Sequence, residues 1–308
     1  MAFSRPDAWV WDFWFADDGE QFHMFYLFAP RALGDPELRH RNARIGHATS
    51  PDLIDWADLG EVLAPGPAGA FDETATWTGC VVRDDDGLWR MFYTGSVFTS
   101  PDSVTNVESI GFAVSTDLHT WAKQPFVLRA DPRWYEVLGD SEWPEEAWRD
   151  PWVFRDPEGA GWHMLITARS REGHVHDRGV VGHAWSADLS TWEARPPLSA
   201  PARGFDHLEV MQLASVDGRD ILLFSAPRGA GAAVIWVLND VDPLGPYRVD
   251  EAEQLTDRRV YSGRATVDRE RRVVLLAFEL GSDPDGFVGG ITDPIPLPLE
   301  QAGRSSRG

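Results

Sequence analysis

The chain has one cysteine, Cys80, in 308 residues, so no internal disulfide is possible and an oxidising compartment is not implied. Cations are scarce. Twenty-eight Lys and Arg stand against forty-nine Asp and Glu, a formal charge of −21. Nucleic acid and anionic membranes both require a basic footprint, so both are excluded as partners. The acidity suits a neutral ligand, and it suits equally well a surface that is merely kept solvated. No apolar run reaches the roughly 18–20 residues that span a bilayer. No basic-then-apolar leader opens the chain, where residues 9–15 already read as a strand. These absences together point to the cytoplasm. No long amphipathic helix pattern occurs, and no grouping of His, Cys and carboxylates has zinc spacing. No cofactor is expected, although the acidic loops leave a structural calcium ion open.

What the chain has in abundance is tryptophan, fifteen residues. Most should pack the core, and the rest can serve as platforms for sugar rings. Three apolar, aromatic-rich runs each carry a carboxylate at their centre: Val10-Trp11-Asp12-Phe13-Trp14, Trp148-Arg149-Asp150-Pro151-Trp152 and His207-Leu208-Glu209-Val210. An unpaired carboxylate inside a buried strand is costly, so their presence calls for a reason.

Repeats supply one. Gly46-His47-Ala48-Thr49-Ser50-Pro51-Asp52-Leu53 leads to Trp56, and Ser, Asp, Leu and Trp recur at the same offsets as Ser115, Asp117, Leu118, Trp121 and as Ser186, Asp188, Leu189, Trp192. The pattern predicts a strand, a turn closed by Ser and Asp side chains, and a Trp folding back. Apolar strands centred on Phe25, Phe92, Leu165, Leu223 and Leu276 precede or continue this series. Each of the five follows an earlier strand, at 9–15, 76–82, 148–154, 207–213 and 261–267. Five units of three or four antiparallel strands predict an all-β chain, a single five-bladed β-propeller over residues 1–300 with a disordered tail at 301–308. The first strand of each blade lines the central channel, so Asp12, Asp150 and Glu209 are expected in one register, facing each other in a funnel. The competing reading makes each carboxylate a local turn cap. An acidic, aromatic insertion at 129–147, with Trp134, Tyr135, Trp143 and Glu145, is expected on the funnel rim as a lid or a plain surface loop.

These motifs resemble glycoside hydrolase families 32 and 68, the invertases and levansucrases, and more distantly family 43. Val10-Trp11-Asp12-Phe13-Trp14 is similar to the nucleophile segment, Trp77-Thr78-Gly79-Cys80 to the segment touching the fructosyl unit, and Arg149-Asp150-Pro151 to the Arg-Asp-Pro motif. Glu209 falls where those families keep their acid/base residue, and Phe287-Val288-Gly289-Gly290 is similar to the closing strand of the last blade. The Asn-Asp-Pro-Asn-Gly form is absent, Cys80 replaces a Ser, Val210 replaces a Cys or Arg, and the sequence does not extend into the family 32 β-sandwich.

The resemblance implies a retaining β-fructofuranosidase acting on a short oligosaccharide or glycoside. Asp12 would be the nucleophile, Glu209 the acid/base and Asp150 the stabiliser of the transition state through sugar hydroxyls. Trp11, Trp14 and Trp77 would wall the ring. Arg149 would steady the carboxylates, and Tyr261 and Arg264 would reach the pocket from the fifth blade. His207, two residues before Glu209, is expected to share its strand face, as a tuner of the acid or a structural hydrogen-bond partner. His47 and His183 share a repeat position and read as structural. An inverting arabinofuranosidase or xylosidase and a non-catalytic sugar-binding propeller are the alternatives; oligomeric state is left open.

Overall fold

The computed structural model describes residues 3–159, 161–281 and 287–297; the expected tail at 301–308 lies outside them. Among the described residues twenty strands form five sheets, each ordered as the chain runs. Blade one is β1 (Ala8–Asp17), β2 (Phe22–Pro30), β3 (Arg44–Ser50) and β4 (Ala57–Leu63). Blade two is β5 (Ala75–Arg83), β6 (Trp89–Phe98), β7 (Asn106–Ser115) and β8 (Ala122–Lys123), and β9 (Glu145–Glu146) adds to β7 in parallel. Blade three is β10 (Trp148–Arg155), β11 (Trp162–Arg169), β12 (Gly179–Ser186) and β13 (Glu193–Arg195). Blade four is β14 (Glu209–Val216), β15 (Arg219–Ala226), β16 (Val234–Leu238) and β17 (Glu253–Gln254). Blade five is β18 (Val260–Val267), β19 (Val273–Glu279) and β20 (Ile295–Pro296). The first strands neighbour one another in a ring, β1 beside β5, β5 beside β10, β10 beside β14, β14 beside β18 and β18 beside β1. This is the expected five-bladed propeller.

The ring closes where the segments around Phe3 and Ile291 meet. Phe3 bridges Ile291, which itself bridges Phe278 of β19, and the Gly290 N–H donates to the Val10 carbonyl at 2.7 Å. Gly289 has φ +72° and its missing side chain would stand 2.9 Å from the Val10 oxygen, so only glycine fits there. The 287–290 segment is not the closing strand that its resemblance implied; it runs as irregular backbone bonded to Glu279 and Val10, and Ile295–Pro296 is the third strand of the last blade.

The repeated turn is as its sequence dictates. Asp52, Asp117 and Asp188 each accept two backbone N–H groups, and Ser50, Ser115 and Ser186 each accept the Asp N–H. Leu53, Leu118 and Leu189 are buried with φ of 68°, 64° and 60°. That backbone is strained for leucine, and the indole N–H of Trp56, Trp121 or Trp192 donates back to the same leucine carbonyl in each copy. Apolar side chains fill the spaces between blades in four clusters, the largest around Trp9, Phe13, Trp14 and Phe25.

Candidate active site

Every first strand breaks its pairing with the second at the same level. The register shifts between Val10 and Phe13, Trp77 and Gly79, Arg149 and Trp152, Glu209 and Gln212, and Tyr261 and Arg264. A bulge turns two successive side chains toward the channel instead of one. The neighbouring pairs at this level are Trp11 and Asp12, Trp77 and Thr78, Arg149 and Asp150, Glu209 and Val210, and Tyr261 and Ser262. All ten line a single cavity of about 310 Å3, with Arg39, His40 and Glu145 also on its wall.

The bulges corrects one expectation. The three carboxylates do not share one register: Glu209 is the last paired residue before its bulge, level with Arg149 and Tyr261, Asp150 is the first residue past that level, and Asp12 is the second past Val10. The carboxylates therefore meet in one cavity from different levels of their strands.

Hydroxyls from the second strands hold the strained positions. Asp150, Val210 and Ser262 have φ of 56°, 52° and 50°, a costly conformation for such residues. The Asp150 N–H donates to Thr94 Oγ1 of the preceding blade at 2.9 Å, and the Ser262 N–H to Ser225 Oγ at 3.0 Å. Between them, the Val210 N–H donates to Asp150 Oδ2 at 3.1 Å, and Thr167 Oγ1 reaches both that oxygen and the Leu208 carbonyl. Each bulge is thus tied to the blade before it.

Thr78 Oγ1 donates to Asp12 Oδ2 at 2.6 Å. Burial pushes the Asp12 carboxyl above its usual range; the nearby Ser262 and Thr78 hydroxyls pull it back, Glu209 pushes it up and Arg264 pulls it down. Asp150, 3% exposed, is pushed up to about 6, by burial first; Arg149 opposes this, while Asp12 and Glu209 add to it. Glu209 is gripped at both oxygens, by Arg149 Nη2 at 2.7 Å on Oε1 and by the Tyr261 hydroxyl at 2.5 Å on Oε2. Burial and the adjacent Glu209 hold the Tyr261 phenol well above its ordinary range.

Trp11 and Trp77 stand on the wall as expected, Trp77 pinned by its indole N–H to the His40 carbonyl at 2.7 Å. Trp14 does not reach the cavity. Two residues past Asp12, it turns into the core between blades, wholly buried and stacked on Phe25 at 6.2 Å. Arg264 is also displaced from its expected place. It lies buried below the cavity, donating to the Phe13 and Met211 carbonyls and packing over Trp152. It acts on Asp12 and Asp150 only through its charge.

His207 precedes β14 and is not on its strand face. Its Nε2 lies 3.4 Å from Glu145 Oε2, outside hydrogen-bonding geometry, and burial holds the ring well below its ordinary range. His47 and His183 are structural, paired with His23 and His163 at 2.9 Å in equivalent blades. The 129–147 insertion is built into the wall. Glu136 pairs with the buried Arg169 at 2.7 Å, the Tyr135 hydroxyl donates to the Arg195 carbonyl at 2.6 Å, and β9 delivers Glu145 to the cavity.

Thr78, Ser262, Arg39 and His40 were not singled out from the chain. Thr78 and Ser262 follow from aligning the five first strands by their bulges; Arg39 and His40, in the 3₁₀ segment Pro36–Asn42, carry no comparable signal. Among the described residues no group of three or more His, Cys, Asp and Glu is arranged to hold a metal, and no helix is long and apolar enough to cross a membrane.

Fold and cavity define a five-bladed propeller whose central funnel gathers carboxylates around a guanidinium. The glycosyl hydrolases family 32 N-terminal domain matches residues 13–278, and the chain belongs to this family. It is 31% identical over 218 residues to a sucrose-6-phosphate hydrolase of Pediococcus pentosaceus, covering 70% of this chain and 38% of the relative. It is 29% identical over 224 residues to the Zymomonas mobilis sucrose-6-phosphate hydrolase, covering 69% of this chain and 39% of that protein. The match thus spans about two fifths of these relatives' length. Among solved structures, an inulosucrase from Halalkalicoccus jeotgali bound to kestose superposes with a TM-score of 0.71 at 24% identity, over 91% of this chain and 79% of that one.

Proposed function

We propose that the protein is a retaining glycoside hydrolase that cleaves β-fructofuranosides. The observation that carries this reading is the meeting of Asp12, Asp150 and Glu209 in one cavity at the level of the five bulges. Asp12, oriented by the Thr78 hydroxyl, attacks the anomeric carbon and forms a glycosyl-enzyme intermediate. Glu209 protonates the leaving oxygen and then, as a base, activates water. Arg149 and Tyr261 fix its carboxyl and meet the negative charge it acquires. Asp150 grips ring hydroxyls, contacts that tighten as the ring flattens toward an oxocarbenium ion. Trp11 and Trp77 form the apolar wall.

Charge narrows the substrate class. The cavity wall carries four carboxylates, Asp12, Glu145, Asp150 and Glu209, against the guanidiniums of Arg39 and Arg149, which already pair with Glu37 and with these carboxylates. His40, half-exposed at its side chain, is drawn below its ordinary range by partial burial and the adjacent Arg39, and adds little positive charge at neutral pH. This balance favours an unphosphorylated fructoside over the sucrose 6-phosphate that several relatives are named for. The lone buried cysteine fits a reducing compartment such as the cytoplasm.

The test is a Glu209→Ala variant given an aryl β-fructofuranoside. Its leaving group needs no acid, so Asp12 is glycosylated, and without a base the intermediate accumulates until azide relieves it. Mass spectrometry is expected to find one hexosyl unit on the Asp12 peptide. An unlabelled peptide, together with an inverted product from the wild type, would leave the arabinofuranosidase-like alternative standing. Turnover of sucrose 6-phosphate faster than sucrose would refute the charge argument.

A further inference from the structure

A further glutamate, outside the three catalytic candidates, is built into the same network. Glu108 lies on β7, the third strand of blade two, and its side chain is wholly buried. Both of its oxygens take Arg149 Nη1, at 3.1 and 3.0 Å, and Oε2 also takes the Trp148 N–H at 3.0 Å. Each of these bonds is one that Glu108 accepts, the pattern of an ionised carboxylate. Burial first, with Glu145 nearby, pushes its carboxyl up to about 8, and the Arg149 guanidinium works against them to hold the ionised form that accepts these bonds.

Arg149 therefore faces Glu108 with one terminal nitrogen and Glu209 with the other, the latter at 2.7 Å. A guanidinium is planar and rigid, so holding Nη1 aims Nη2. We propose that Glu108 is a positioning residue: it aims Arg149 at the acid/base Glu209 and takes up part of the guanidinium charge, which keeps Glu209 able to hold its proton until the leaving oxygen takes it. This role rests on the hydrolase reading above.

Other charged groups face the same guanidinium or Glu209. Glu145 of β9 stands 3.5 Å and Asp150 of β10 3.7 Å from Arg149. Tyr261 of β18 bonds Glu209, Asp12 of β1 and His40 of the Pro36–Asn42 segment act on the same cluster through space, and His207 approaches Glu145. None of these holds Nη1 as Glu108 does, from the neighbouring blade and through two oxygens.

The consequence is directional. With Glu108 neutralised, the guanidinium charge falls more fully on Glu209 and favours its ionised form. In Glu108→Gln the basic limb of the kcat/KM profile for sucrose, whose poor leaving group needs the acid, is expected to move toward lower pH by about one unit, the scale of a close buried charge. For a para-nitrophenyl β-fructofuranoside, which needs no acid to depart, the same limb stays where the wild type has it. A purely structural role would instead lower activity on both substrates at every pH without moving the limb, and that result overturns the proposal. If Glu108→Gln gives no folded protein, Glu108→Asp carries the test: it keeps the charge but draws it back from Arg149, so the limb moves in the same direction by less. An unmoved limb there overturns it equally. A wild type that cleaves neither substrate overturns the hydrolase reading and this role with it. An active wild type with an unmoved variant limb overturns this role alone.

Discussion

Removing the Glu136 carboxylate should unseat the insertion that delivers Glu145 to the cavity. Glu136 and Arg169 are 2% and 0% exposed at their side chains, and Oε2 accepts Arg169 Nε at 2.7 Å. Oε1 takes the Ser141 hydroxyl at 2.5 Å and an Arg178 guanidinium nitrogen. Arg169 also donates to the Asp206 and Val175 carbonyls and lies 3.9 Å from the Trp143 ring centroid, so it cannot swing to solvent when its partner is lost. Glu136→Ala leaves that guanidinium buried and uncompensated, a change that costs about 3–5 kcal/mol. At roughly 2–4 °C for each kcal/mol in a chain of this order of size, the melting temperature should fall by roughly 6–20 °C. Glu136→Gln keeps the shape and part of the hydrogen bonding and should fall by less. The assay is differential scanning calorimetry beside kcat/KM on a fructoside. A Glu136→Ala protein melting within about 2 °C of the wild type, with unchanged kcat/KM, would refute the view of the insertion as an anchored wall.

Two further outcomes are expected. Tyr261→Phe deletes the hydroxyl on Glu209 Oε2; a bond to a charged group is worth about 1.5–3 kcal/mol, so kcat/KM should drop roughly 10- to 100-fold with little change in melting temperature, and a drop under about twofold would show the hydroxyl idle. His47 and His183 are held by burial down to about 3 and about 4, from an ordinary 6.5. A depressed folded value means stability is present above 6.5 and is lost as the pH falls below it, about 2 kcal/mol for each ring by pH 5. Urea midpoints for His183→Gln should therefore depend less steeply on pH between 7 and 5 than those of the wild type, and an equal slope would show that the ring does not contribute.

Carboxylates in apolar runs were legible because ionised groups are so costly in a strand interior that only a strong use keeps them there. Asp12, Asp150 and Glu209 were found on that ground, and the Ser, Asp, Leu and Trp offsets made the repeat, and hence the blade count, readable. Glu108 sits in a run of the same kind, Val107-Glu108-Ser109-Ile110, yet it lies on a third strand rather than a first, and nothing local says that its partner is forty-one residues away. Trp14 and Arg264 were placed at the cavity for their proximity in sequence to residues that are there.

What the chain by itself determined is the class of fold, the five units and the carboxylates that meet in the cavity, because periodicity and the cost of burying charge are local properties of the sequence. Only the tertiary structure decided the levels. The bulge in each first strand turns two neighbouring side chains to the channel, which puts Glu209 beside Arg149 and Tyr261 while sending Trp14 into the core. Closing the ring then brings a glutamate of blade two and the acid/base candidate of blade four onto the two terminal nitrogens of an arginine of blade three. That meeting depends on the register between sheets, and register is set by packing across blades that no single strand records.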